Sequence, residues 1–204
     1  SSFTMDSGAN RSLFIVKLDA SGKLIWAKNT GGSPAQTNHS MVVDSKRNIY
    51  IVGGFSGTVD FDPGLDSFKI KSVGSNDMFI LKLDSSAKFV WAKRVGGKNT
   101  EFRTVGLAVD LTENVYCAGS FIGKVDFDPG IDTFTVTSKP NTQTSTPTTD
   151  VFIVKLDKYG NFKWVRSIGD YSLDNGNSIA LDTRGNIYTT GGFTGTVDFN
   201  PGAD

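Results

Sequence analysis

The sequence predicts an all-β protein made of tandem copies of one antiparallel unit. Three observations lead to this prediction: a set of motifs that recurs three times in fixed order, strands of alternating residues bounded by turn residues, and the lack of any window with helical period and caps. The 204 residues include 23 glycines and 15 phenylalanines, a composition that suits short strands and tight turns better than helices.

Each copy of the repeat opens with an apolar strand and closes with a turn-rich segment. The opening strands begin at Phe14, Phe79 and Phe152, which lie 65 and 73 residues apart. A tryptophan follows each opening strand at the same distance: Trp26, Trp91 and Trp164. The closing segment is Val-Asp-Phe-Asp/Asn-Pro-Gly, and its central residues are Phe61, Phe127 and Phe199. The matching phase divides the chain into repeats 1–66, 67–132 and 133–204.

Two turns join the long strands within each unit. The first begins at Asp19, whose side chain can accept hydrogen bonds from backbone amides, and Gly22 can take a positive φ there. The second runs from Asp44 to Asn48, and asparagine tolerates the left-handed region. For one complete unit we predict strands at 40–44, 48–55, 77–84 and 88–95, with a hairpin at 58–72 inserted between the second and the third.

Four antiparallel strands per unit, repeated in tandem, are typical of β-propeller blades. The sequence repeat is offset from the blade, because the chain opens with the last two strands of one unit and ends with the first two of another. We therefore predict one β-propeller repeat region over residues 1–204, with two full blades and two half blades. Three repeats fall short of the roughly four blades that closure needs. We expect further repeats of a larger chain, or a second copy, to complete the ring.

The ordered motifs resemble the bacterial SBBP-type β-propeller repeat. The similarity rests on the Phe-Ile-Val-Lys-Leu-Asp strand, the tryptophan that follows it, the Asn-Ile-Tyr strand and the closing segment, and it covers nearly the whole chain. Ala87, Ser120 and Asn200 depart from the pattern. The resemblance implies a secreted or surface-exposed bacterial protein, exported in some members by the type IX route. It implies no catalytic residues.

Composition narrows the choice of partner and chemistry. Lys plus Arg and Asp plus Glu both total 21, which gives no electrostatic case for nucleic acid. No apolar run reaches the roughly 18 residues that span a bilayer, so we predict no membrane insertion. His39 is the only histidine and Cys117 the only cysteine, which removes most acid–base, nucleophile–histidine and multi-cysteine zinc schemes. We expect Cys117 to be a small core or half-buried strand residue rather than a reactive thiol.

Two sets of repeated side chains are candidates for function. The polar residues of the closing segments could bind calcium through hard oxygens, although turn capping explains the same pattern. They are Asp60, Asp62, Asp126, Asp128, Asp198 and Asn200. The tryptophans could stack a ligand, but one tryptophan per unit at a fixed phase favours packing between blades. Calcium is the one cofactor that the sequence suggests.

These observations predict a non-catalytic scaffold or a binding or adhesion module, outside the cell or on the bacterial surface. Its partner would be a surface glycan or a protein, and the chain would be a segment of a larger protein. A structural spacer or stalk in a large surface assembly is the alternative. A propeller enzyme such as a lyase or a glycosidase is less well supported, because the sequence offers few acids, bases and nucleophiles.

Overall fold

The computed structural model describes residues 3–7, 12–31, 35–141 and 146–200, with the backbone alone at 35–39, 104 and 105. These ranges contain sixteen β-strands and no helix, which confirms the all-β prediction. Accordingly, none of the described segments is an apolar helix long enough to cross a membrane. The strands are β1 (Phe14–Leu18), β2 (Leu24–Asn29), β3 (Ala35–Val43), β4 (Ile49–Ser56), β5 (Thr58–Asp60), β6 (Lys69–Lys71), β7 (Asp77–Leu83), β8 (Phe89–Val95), β9 (Glu101–Val109), β10 (Val115–Ile122), β11 (Lys124–Asp126), β12 (Thr135–Thr137), β13 (Asp150–Leu156), β14 (Phe162–Ile168), β15 (Asn175–Leu181) and β16 (Ile187–Gly192).

The long strands form two four-stranded antiparallel sheets and two strand pairs. The first full sheet has the order β3-β4-β7-β8, and the second full sheet has the order β9-β10-β13-β14. The N-terminal strand pair is β1-β2, and the C-terminal strand pair is β15-β16. The predicted offset is therefore present, because each full sheet takes two strands from one sequence repeat and two from the next. Within the described ranges these sheets do not close into a ring.

Strand β3 begins earlier than the alternation of its residues predicted. It starts at Ala35 rather than at residue 40, and its pairing with β4 shifts register between Thr37 and Ser40. A bulge of this kind interrupts the two-residue period, which is the signal that a sequence-based assignment uses. The other long strands of the first full sheet lie within one residue of their predicted bounds.

Three layers of buried side chains lie between successive sheets. The first layer joins the N-terminal pair to the first full sheet, and it includes Ile15, Ile51 and Leu81. The second layer joins the two full sheets, where Cys117 is completely buried as expected. The third layer joins the second full sheet to the C-terminal pair and includes Ile179. Each sheet thus depends on its neighbours to cover its apolar faces.

The short hairpins β5-β6 and β11-β12 reach from one sheet to the sheet before it. The amide of Gly31, after β2, donates to the carbonyl oxygen of Asp60 at 2.8 Å. In the next copy Gly96 and Asp126 exchange two backbone hydrogen bonds, of 3.3 and 3.1 Å. A Cβ atom at Gly31 would lie 2.7 Å from the Cβ of Asp60, so this close approach requires glycine.

Candidate functional site

The candidate calcium ligands of the first closing segment are held by their own hairpin. Asp60 Oδ1 accepts hydrogen bonds from the amides of Asp62 (3.2 Å) and Phe68 (2.8 Å), while Oδ2 accepts one from the Ser67 hydroxyl at 2.5 Å. Asp62 Oδ1 accepts the amide of Gly64 at 2.7 Å. Partial burial raises the pKa of Asp60, but these hydrogen bonds outweigh it, so the pKa lies below its ordinary value.

The other two closing segments repeat this arrangement as far as they are described. Asp126 Oδ1 accepts amides from Asp128 and Phe134 at 3.1 and 2.9 Å, and Asp198 Oδ1 accepts the amide of Asn200 at 2.8 Å. Across the described part of the chain, no group of three or more His, Cys, Asp or Glu side chains is placed to hold a metal ion. The observed role of these carboxylates is to fix the turn, and calcium binding stays a prediction.

Three phenylalanine rings pack together in each full sheet, and we call each set a phenylalanine trio. In the first full sheet the ring of Phe61 lies 5.4 Å from Phe55 and 4.8 Å from Phe79, centroid to centroid. All three side chains are completely buried. The second full sheet has the equivalent trio, Phe121, Phe127 and Phe152, and a fourth ring, Phe102, packs against two of them.

The third set of phenylalanines is incomplete in the C-terminal strand pair. Phe199 contacts Phe193 at 5.2 Å, but it is 59% exposed, unlike its equivalents Phe61 and Phe127. The residue at the remaining phase, Phe14, lies at the other end of the chain and is 68% exposed. The sequence repeat predicted equal roles for the three closing-segment rings. Their environments differ because, among the described strands, none equivalent to β7 or β13 covers the third ring.

Each full sheet also contains a tyrosine, a lysine and a tryptophan side by side, which we call a Tyr–Lys–Trp trio. In the first full sheet Tyr50 lies opposite Lys82, and Lys82 lies opposite Trp91. The lysine Nζ sits 5.0 Å from the centre of the tyrosine ring, and the two aromatic rings meet edge to face at 6.4 Å. The second full sheet has the same trio in Tyr116, Lys155 and Trp164.

The tryptophans are half-buried at the layers between sheets. Trp91 borders the layer between the two full sheets, and its Nε1 donates to the carbonyl oxygen of Lys158 in the next sheet at 3.1 Å. Trp164 borders the third layer and Trp26 the first. In the N-terminal pair Trp26 lies opposite Lys17, and no described strand adds a tyrosine beside that lysine.

One ion-pair network crosses the layer between the full sheets. Glu113, in the turn before β10, accepts hydrogen bonds from Lys46 and, at 2.7 Å, from Lys82 of the first full sheet. These two hydrogen bonds lower the pKa of Glu113 to about 2, so its carboxylate stays ionised and is a poor general acid or base near neutral pH. The sequence analysis missed this network, although the negative charge of Glu113 was a signal, because Arg47 and Gly185 hold this turn position in the other repeats.

Asp150, at the start of β13, is a second carboxylate that the sequence analysis missed. Its side chain is buried, Oδ2 accepts the amide of Lys139 at 3.1 Å, and Oδ1 has no hydrogen-bond partner among the described residues. Burial raises the pKa of Asp150 to about 6, and the nearby carboxylates of Asp174 and Asp170 add to the increase. The equivalent residue Asp77 is instead paired with Arg94.

The tips of the two short hairpins carry exposed aliphatic side chains. Leu65 and Ile131 occupy the same phase of the repeat and are fully exposed. Asp66 and Asp132 follow them directly, so each tip combines one aliphatic and one acidic side chain. The hydrogen bonds of Asp60 and Asp62 fix the base of the first tip, which makes the tips a rigid, repeated surface.

The fold defines an all-β protein of stacked antiparallel sheets, consistent with β-propeller repeats. Residues 163–191 match the family model of the SBBP β-propeller repeat, which supports the repeat type. The chain is 30% identical over 193 residues to an uncharacterized WD repeat-containing protein of Acanthamoeba polyphaga mimivirus, covering 84% of this chain and 14% of that protein. It is 24% identical over 172 residues to the regulatory protein FlaEY of Caulobacter vibrioides, covering 84% of this chain and 17% of that protein.

The chain therefore spans less than a fifth of the length of these two relatives. The propeller repeat and the WD-repeat relative suggest a non-enzymatic repeat scaffold or binding module. One of the two relatives is viral and the other bacterial, so the bacterial surface location implied by the resemblance stays a prediction.

Proposed function

We propose that the chain is a non-catalytic β-propeller segment that serves as an extracellular binding module on a rigid scaffold. The observation that carries this proposal is the pair of fully exposed aliphatic side chains, Leu65 and Ile131, at equivalent hairpin tips. Large aliphatic side chains exposed at the same phase of a repeat gain nothing from the core, and repeated presentation suits a partner with repeated sites.

The base of each tip is already ordered before any partner arrives. Phe61 anchors the first hairpin in the phenylalanine trio, and Asp60 and Asp62 hold its backbone by hydrogen bonds. Binding by a preformed surface avoids the entropy cost of ordering a loop. The aliphatic and acidic groups together suit a surface protein or glycan with apolar and basic or hydroxyl groups.

The ion pairs of Glu113 support a scaffold rather than an enzyme. Glu113 joins two sheets through Lys46 and Lys82, so stability accounts for this carboxylate. The spacer or stalk of a large assembly is the second candidate, because the layers that join successive sheets require no ligand.

The experiment is a glycan array probed with the wild-type chain and with the double variant Leu65→Ser/Ile131→Ser, each with and without calcium. Binding that the double variant loses supports the hairpin tips as the contact surface. Binding that requires calcium and is lost in Asp60→Asn/Asp126→Asn would support the metal prediction. No signal with or without calcium would contradict the glycan-binding module and favour the spacer.

A further inference from the structure

The ion pairs of Glu113 have no counterpart in the next layer between sheets. In the layer between the two full sheets, the Glu113 carboxylate accepts hydrogen bonds from Lys46 and Lys82. In the layer between the second full sheet and the C-terminal pair, Gly185 holds the phase of Glu113, and Lys155 holds the phase of Lys82. This later layer therefore keeps a lysine but lacks the carboxylate that pairs with it.

Equivalent apolar residues pack in both layers, so the sheets on either side are placed in the same way. The matching positions, from the earlier to the later layer, include Tyr50 and Tyr116, Ile80 and Ile153, and Leu107 and Ile179. The two turns also share a left-handed backbone, with a φ of 67° at Glu113 and 85° at Gly185. A Cβ atom at Gly185 would meet no atom within 4 Å, so open space remains where Glu113 places its side chain in the earlier layer.

A groove occupies this space, between the turn before β10 and the turn before β16. Its volume is about 440 Å³, which lies within the roughly 300–1,000 Å³ of small-ligand sites. Val109 and Leu181 contribute apolar surface, Leu111 is 82% exposed, and Arg184 lies beside Gly185. The groove thus combines an aliphatic wall with a cation.

Two cations of this layer form no ion pair among the described residues. Lys155 Nζ lies 5.0 Å from the centre of its tyrosine ring, which is the distance that Lys82 Nζ has from its own. The lysine in the earlier layer is 2.7 Å from the Glu113 carboxylate, so Lys155 is placed to reach a carboxylate in the open space. The second cation, Arg184, is exposed.

Two carboxylates also line the groove, but they do not exclude a further anion. Asp110 and Asp182 each accept hydrogen bonds from an asparagine of their own turn. In the earlier layer Asp44 and Asp110 hold the corresponding turns, and two lysines nevertheless keep Glu113 ionised there. A carboxylate beside the two unpaired cations gives the later layer the same charge balance.

We propose that the groove between the second full sheet and the C-terminal pair binds a glutamate side chain of a partner protein. Its carboxylate pairs with Lys155, and an aliphatic neighbour in the partner packs on Leu111. A protein side chain is favoured because the occupant of the equivalent place in the earlier layer is itself a glutamate. The groove lies at the turn before β16, whereas the exposed hairpin tips follow β4 and β10, so this site is at the opposite end of the strands and is independent of the tips.

The first test is an NMR titration of the ¹⁵N-labelled chain with the end-blocked peptide Gly-Leu-Glu-Leu-Gly. Because a single ion pair in a surface groove is weak, the peptide is added to ~10 mM. We expect saturable shifts of the amides in the turn 182–186, and about tenfold weaker binding or less of Gly-Leu-Gln-Leu-Gly, which has no carboxylate. Equal affinity for the two peptides, or no saturable shift, would overturn the proposal. Shifts with sodium glucuronate but not with the glutamate peptide would overturn a protein side chain as the ligand.

The second test repeats the titration with variants of the groove. Lys155→Met should raise the dissociation constant of the glutamate peptide about tenfold or more, whereas Lys98→Met, at an exposed lysine outside the groove, should leave it unchanged. Gly185→Glu supplies the carboxylate from within the chain and should abolish binding, while Gly185→Asn, which tolerates the positive φ, should retain it. Glu113→Gly should open a second groove and add shifts in the turn 110–114. Unchanged affinity in Lys155→Met, or binding that survives Gly185→Glu, would contradict the assigned site.

Discussion

Replacing Asp150 with asparagine should raise the free energy of unfolding at neutral and alkaline pH. The carboxylate is buried, and among the described residues only its Oδ2 has a hydrogen-bond donor, the amide of Lys139. At the equivalent site Asp77 is compensated by Arg94 on the next strand, but Ser167 stands at that position beside Asp150. Whenever Asp150 is ionised, the folded chain therefore carries a buried charge that Lys139 compensates only in part.

The size of the effect follows from the pKa of Asp150, which is raised from 3.8 to about 6. Each pKa unit corresponds to about 1.4 kcal/mol, so the ionised group costs the folded state about 3 kcal/mol. The folded state binds a proton on Asp150 more tightly than the unfolded state does. Protonation therefore stabilises the fold fully below about pH 4, and this stabilisation is lost as the pH rises to about 6. Asparagine does not ionise, but its amide lacks an acceptor at this site. We therefore expect the free energy of unfolding of Asp150→Asn to exceed that of the wild type by about 1–3 kcal/mol above about pH 6.

The assay is urea unfolding of the wild type and Asp150→Asn at about pH 4, pH 6 and pH 8. The difference in the free energy of unfolding should grow between the first two pH values and then level off. Asp77→Asn is the matched control, and it should be less stable than the wild type by about 2 kcal/mol or more because Arg94 loses its partner. A difference between wild type and Asp150→Asn that does not change with pH would refute the reasoning.

Three further substitutions test the core and the turns. Phe127→Ala should lower the free energy of unfolding by about 3–5 kcal/mol, because its ring is completely buried in a phenylalanine trio, whereas the exposed Phe3 should lose less than about 1 kcal/mol on the same change. Arg47 has a φ of 67°, and Gly185 takes this turn position in the third repeat, so Arg47→Gly should stabilise the chain by up to about 1 kcal/mol. Glu113→Gly at the same φ should destabilise by about 2 kcal/mol or more, since Lys46 and Lys82 lose their partner. Urea denaturation measures each difference, and equal effects of the two glycine substitutions would contradict the assigned role of Glu113.

Much of the fold could be predicted because the strands and turns depend on local chemistry that repeats. The aspartate turns show this directly, because Asp44 Oδ1 accepts the amide of Asn48 at 2.8 Å. The turn between aspartate and asparagine that the sequence predicts is therefore the turn that the backbone forms. The early start of β3 could not be predicted, because a bulge removes the alternation there.

The burial and the charge partners of equivalent residues were harder to predict from the sequence. Phe61 and Phe199 have similar neighbours in sequence, but burial depends on a further strand of the sheet, and among the described residues only Phe61 has that strand. Asp150 and Asp77 likewise share a phase, and their difference comes from the residue on the adjacent strand, Ser167 or Arg94. A repeat specifies which positions correspond, whereas charge balance depends on contacts across strands.

The contacts between successive sheets differ at one turn position, which has a positive φ and is held by Arg47, Glu113 and Gly185. Of these three residues only Glu113 forms ion pairs with the preceding sheet, so the layer between the two full sheets combines apolar packing with charge pairing. In the layer between the second full sheet and the C-terminal pair this residue is Gly185, which has no side chain to form an ion pair. The layer between the second full sheet and the C-terminal pair should therefore separate at a lower denaturant concentration than the layer between the two full sheets.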